Sequence, residues 1–62
     1  MFYRNNKTLK VYKLIDDLVI DATNGSEERL MVLYKDKRGK KYVRERTEFY
    51  QKFSPTNLRS FE

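Results

Sequence analysis

Cysteine, histidine and tryptophan are absent from these 62 residues, proline occurs once and glycine twice. Without cysteine there is neither a disulfide nor a thiolate zinc site. Without histidine the commonest metal ligand and the usual general base are missing. No Gly-rich phosphate loop and no G-x-S-x-G elbow occurs. The acidic residues cluster only at Asp16-Asp17, Asp21 and Glu27-Glu28. Neighbours such as Asp16 and Asp17 face opposite sides of a strand, and Asp21 lies roughly 13 Å from Asp17 along one. Paired-carboxylate chemistry therefore has no local basis, and the expectation is a protein that is not an enzyme, with no cofactor and no metal. No apolar run approaches the ~20 residues of a membrane span. The opening MFYRNNK lacks the apolar segment of a signal peptide, so the expected location is the cytoplasm.

A chain this short buries only roughly 60% of its unfolded surface, and small domains often need a covalent or metal staple. Here apolar packing has to serve instead. Five tyrosines and four phenylalanines supply it, since each ring brings a large buried area.

Period and turn chemistry predict a β-rich fold. Phe2-Tyr3-Arg4 reads as a short strand and Asn5–Thr8 as a turn. Residues 9–22 are rich in β-branched and aromatic side chains, with both parities apolar. They form one long strand, or two strands bent at Asp16-Asp17, in preference to a helix over 9–20. Thr23-Asn24-Gly25-Ser26 is a hairpin signal, and residues 29–35 form the next strand. Asp36-Lys37-Arg38-Gly39 reads as a type I turn with Gly39 in the left-handed position, returning into a strand over 40–46. Tyr42, Arg44 and Arg46 then share one face of that strand, and Lys41, Val43 and Glu45 the other. Thr47 is placed to cap a short helix carrying Phe49, Tyr50 and Phe53 on one side, and Ser54-Pro55 ends it. Tyr3, Tyr12, Tyr34, Phe49 and Phe53 are expected in the core, and Arg44 is expected to pair with Glu48 or with carbonyls of the turn, beside a buried Val43. The fold expected is mainly β: a small antiparallel SH3-like half-barrel with a short C-terminal helix. It spans residues 1–53 as one domain, followed by a polar tail over 54–62 that is frayed from Thr56 onward.

Charge is the most localised property of the chain. Lys35, Lys37, Arg38, Lys40, Lys41, Arg44 and Arg46 face only Asp36 and Glu45 within residues 35–46, and both flanks are neutral. The whole net charge of +5 therefore sits in this one stretch. A concentrated field attracts anions more strongly than the same charge spread out. Lys37, Arg38, Lys40, Lys41, Tyr42, Arg44 and Arg46 are the candidate binding residues: arginine offers forked bonds to phosphate and tyrosine a stacking surface. An acidic protein surface or a phosphate-bearing ligand is the expected partner. Nucleic acid is an alternative, and edge-strand addition to a target, or homodimerisation, is a third. Lysines on an exposed hairpin also serve simply to block aggregation.

The run Tyr42-Val43-Arg44 followed by Glu48-Phe49 and Phe53 resembles the signature [WY]-V-R-P-x-x-[EM]-F. This signature belongs to a widespread family of short bacterial and phage proteins of unknown function. Tyr3-Arg4, Lys7, Tyr12, Thr23, Glu27-Glu28, Val32 and Tyr34 match the spacing of its earlier positions. Glu45 stands where the family has proline, and Asn5 where it has histidine. The resemblance implies a compact β-rich domain and a phage or prophage accessory protein, and carries no activity.

Overall fold

The computed structural model describes residues 1–23, 25 and 29–61. Strands β1 (Phe2–Asn5), β2 (Val11–Ile20), β3 (Leu30–Lys35) and β4 (Lys41–Glu45) lead into helix α1 (Arg46–Lys52) and a last strand, β5 (Phe53–Pro55). The strands form one open antiparallel sheet in the order β4-β3-β2-β1-β5, the arrangement of a small SH3-like half-barrel. The two edges, β4 and β5, are joined by α1, which lies over one face of the sheet.

Residues 9–20 are not helical, and β2 is a single long strand. Its bend is real: pairing with β3 shifts register between Leu14 and Asp16 and again between Asp16 and Val19. Extra residues on one strand increase its twist and curl the sheet. Asp16 supports the irregularity, its Oδ1 accepting the Leu18 N–H at 2.8 Å. The turn after β1 is built around Asn5, whose Oδ1 accepts the N–H groups of Lys7 and Thr8. Gly25 has φ 84°, the backbone that an Asn-Gly hairpin turn requires. The other residues of that turn, Asn24 and Ser26, lie outside the described residues.

Val32 and Phe49 are wholly buried, with Tyr3, Tyr34 and Phe53 around them and Tyr12, Leu14 and Tyr42 packed at the margin. Phe49 and Phe53 stack at 4.3 Å, and Tyr3 meets Phe49 edge-on at 5.3 Å. The register explains the set. Tyr42, Tyr34 and Leu14 are opposite one another across β4, β3 and β2, as are Tyr12 and Tyr3 across β2 and β1. These side chains share the inner face that α1 covers.

Four expectations are corrected. The helix starts at Arg46, with Glu45 rather than Thr47 at the cap and no side-chain cap bond. The Glu45 carboxylate turns instead to Arg29, 3.4 Å away. Arg46 consequently leaves the strand expected over 40–46 and opens the helix instead. Val43 is 57% exposed, because the face it occupies has no covering layer. The helix ends before Ser54-Pro55 as expected, but these two residues are strand rather than tail: they pair with Arg4 and Tyr3, and the only proline sits at an edge, where no ladder donor is needed. The segment beyond folds back over β1. The Thr56 N–H donates to the Phe2 carbonyl at 3.0 Å, and Phe61 meets Phe2 edge-on at 5.0 Å.

Candidate anion-binding site

The β3–β4 hairpin closes through the Asp36 N–H to the Lys40 carbonyl and the Gly39 N–H to the Asp36 carbonyl, both at 3.0 Å. Gly39 holds φ 87°, the left-handed conformation expected of it. The Asp36 carboxylate is engaged within the turn. Its Oδ1 accepts the N–H groups of Arg38 and Lys40, each at 2.9 Å, and its Oδ2 accepts the Tyr42 hydroxyl at 3.2 Å. Desolvation pushes its pKa up, but these donors outweigh it and hold the carboxyl below the usual value. Desolvation, and then the bond to Asp36, raises the Tyr42 hydroxyl. The one acid of the hairpin tip thus serves the backbone, leaving Lys37, Arg38 and Lys40 exposed around it.

A cleft of ≈ 470 Å³ opens beside this turn. Lys10, Lys37 and Arg38 bring positive charge to its lining, and Val11, Tyr12, Tyr42 and Phe61 supply apolar walls. Its volume is that of small-ligand clefts. Tyr42 is a wall rather than a free stacking platform: its ring is stacked on Tyr34 at 5.5 Å, and the Lys40 ammonium lies over it at 5.7 Å.

Register adds a second positive feature that reading along the chain misses. Lys41 is opposite Lys35, and Lys35 is opposite Lys13. Three lysines therefore form a row across β4, β3 and β2 on the outer face. Cross-strand partners lie about 5 Å apart, where like charges repel. Among the described residues no ion pair relieves them. Lys13 and Lys10 lie outside the basic stretch and carry no local signal. Only the pairing of β2 with β3 could have revealed Lys13, and only the folded turn Lys10.

Arg44 and Arg46 belong to a different place. The Arg44 Nη1 meets Glu48 Oε1 at 2.6 Å, its Nε donates to the Tyr34 hydroxyl at 3.4 Å, and its guanidinium lies over the Phe53 ring. The expected pair with Glu48 is present. Arg46 reaches Asp17 at 3.4 Å and lies over the Tyr50 ring, while the Tyr50 hydroxyl donates to the same Asp17 at 2.9 Å. Of the seven candidate residues, Lys37, Arg38 and Tyr42 line the cleft, Lys40 lies over the Tyr42 ring, Lys41 joins the outer row, and the two arginines hold α1 against the sheet.

The signature residues acquire a physical role in the same way. Arg44, Glu48, Phe49 and Phe53 make the contacts that join β4, α1 and β5, Tyr42 packs on Tyr34 and Tyr12, and Val43 is turned outward. Among the described residues there is no cluster of acidic side chains able to hold a metal ion, and no helix long and apolar enough to cross a membrane. Compared with family models, curated proteins and solved structures, the chain finds no match.

Proposed function

We propose that this chain is a non-enzymatic binding module whose basic sheet end takes a polyanionic partner, an acidic protein surface or a phosphate-bearing ligand. The observation that carries the reading is the continuity of positive charge. Lys10, Lys37 and Arg38 line the cleft, and the row Lys13–Lys35–Lys41, with no ion pair among the described residues, continues it onto the outer face. A bound anion relieves the repulsion along the row, so the protein gains at this site what its own fold lacks. Nucleic acid is the second reading, since its phosphates offer the same polyanionic charge to these cations. Membership of the short bacterial and phage family, an accessory role in a phage or prophage, and residence in the cytoplasm complete the proposal. The first two rest on the resemblance carried by Tyr42-Val43-Arg44 and Glu48-Phe49, and the third on the lack of an apolar run in the sequence.

The test is fluorescence anisotropy with labelled single-stranded RNA, double-stranded DNA and a glutamate-rich peptide, each titrated at low and at physiological salt. Binding of at least one probe is expected, weakening with salt by a slope set by the number of contacts. Replacing Lys37, Arg38 and Lys40 together with alanine lowers affinity about tenfold or more and flattens that slope. Absence of binding to all three probes at low salt overturns the proposal. A preference for RNA or DNA that survives physiological salt selects the second reading.

A further inference from the structure

β4 is an edge of the sheet. Bonding direction alternates along an antiparallel pair, and the closure of the hairpin through Asp36 and Lys40 sets its phase. The backbone groups of Tyr42 and Arg44 therefore face β3, and those of Lys41, Val43 and Glu45 face outward. The outward set is short, and its side chains read Lys, Val, Glu. That order is self-complementary when the strand is turned end for end.

We infer that β4 pairs with β4 of a second copy, antiparallel, about a two-fold axis through Val43. In this register the two Val43 residues exchange both backbone bonds. Each Glu45 N–H meets the partner's Lys41 carbonyl. The Glu45 carbonyl stays with α1, since a cap residue's carbonyl accepts the first helical bond. On the outer face Lys41 is opposite the partner's Glu45, and Glu45 is opposite the partner's Lys41. On the inner face Tyr42 is opposite the partner's Arg44. Val43, 57% exposed in the single chain, is covered by its own counterpart.

Neighbouring registers lack this match. An axis through Tyr42 sets Lys41 against the partner's Val43 and Arg44 against the partner's Lys40. An axis through Arg44 sets two arginines face to face and Glu45 against the partner's Val43. Only the Val43 axis turns the lysine that ordinarily defends an edge into half of an opposite-charge pair. It also presents to the second copy the backbone groups that β3 leaves unbonded. The result is one continuous sheet of two copies, with the basic hairpins at opposite ends. The contact is small, and small contacts are weak, so association is governed by protein concentration. The inference rests on backbone direction and register, and is independent of what the cleft binds.

Sedimentation equilibrium of the full chain tests it, over about 10 μM to 1 mM, the range of weak interfaces. The weight-average mass is expected to rise with concentration toward that of a dimer. Lys41→Glu alone and Glu45→Lys alone each set like charges together at both ends of the pairing, and each weakens association about tenfold. An equimolar mixture of the two variants restores opposite charges at both ends and associates as a heterodimer. A native chain that stays monomeric across the range overturns the inference. So do single variants that associate as well as the native chain, or a mixture that remains monomeric.

Discussion

The two faces of one sheet have been put to opposite uses. On the inner face, each cation has a partner: Arg44 lies among Glu48, Tyr34 and Phe53, and Arg46 lies between Asp17 and Tyr50. On the outer face and at the hairpin tip, Lys13, Lys35, Lys41, Lys37 and Arg38 have no acidic partner among the described residues. All of these but Lys13 lie within nine residues of Arg44 along the chain, and in strands they are set apart by parity. Residue type follows the division. Arginine, with a flat fork that bonds and stacks at once, stands where the fold needs a bridge, and lysine, a hydrated point charge, stands mainly where nothing covers it. The lesson is that a charge run in a sequence is not one site. Its alternate members belong to different physics.

The comparison is broken most severely from the inside. Phe49→Ala removes the stack on Phe53 and the edge contact with Tyr3 at a position with no exposure. The expected loss is about 3–5 kcal/mol, comparable with all that a core of this size supplies. Circular dichroism should show no cooperative thermal transition. A variant that melts cooperatively within a few degrees of the parent would sink the aromatic-core account.

Arg44→Ala sharpens the contrast between faces. It should lower stability by about 1 kcal/mol, the modest value of a partly exposed bridge, and leave anion affinity within about twofold, a difference of a few tenths of a kcal/mol. The alanine triple at Lys37, Arg38 and Lys40 should do the reverse, moving affinity while leaving stability within about 0.5 kcal/mol. Urea melts and anisotropy on the same two proteins decide it. Equal effects of both on binding would dissolve the distinction.

The inner face also has a pH signature. Burial, with Asp17 accepting its hydroxyl bond, pushes Tyr50 from the ordinary 10.0 up to about 12. The folded state keeps that proton where an unfolded tyrosine has begun to lose it. The stabilisation is complete below pH 10.0 and is lost as pH rises through about 12. Thermal melts should fall less steeply across this window in Tyr50→Phe than in the native chain. Parallel curves for the two proteins would count against the Tyr50–Asp17 contact.

The smallest effect belongs to the lysine row. Lys35 stands between Lys13 and Lys41, so Lys35→Thr removes two like-charge neighbours and favours the strand. A gain of a few tenths of a kcal/mol is expected at low salt, shrinking as salt is added. A loss of stability would mean that the row does not repel.

What was legible in the sequence was what is local. Alternation marked β3 and β4, Gly39 marked the tip, and the aromatic positions named the core. The bend in β2 showed in its two acidic residues and in apolar residues of both parities. What was hidden depends on pairing at a distance. β5 is three residues long and contains a proline, and becomes a strand only because β1 offers it an edge. The lysine row exists only in the register of three strands. α1 starts at Arg46 with Glu45 at its cap, and the Glu45 carboxylate meets Arg29, a partner sixteen positions earlier that no capping rule anticipates.

The seat of β1 between β2 and β5 bears on how the chain reaches this state. Tyr3 pairs with Pro55, so β1 acquires its second neighbour only once the chain through Pro55 is present. Contacts between such distant positions are slow to form, and a nascent chain leaves the ribosome in order from its first residue. The hairpins can assemble early, but closure waits for the last strand to emerge. A chain stopped at Phe53 should therefore unfold at lower temperature and lose amide protection in β1 before β3. Unchanged protection in β1 would show that β5 is decoration rather than the step that completes the fold.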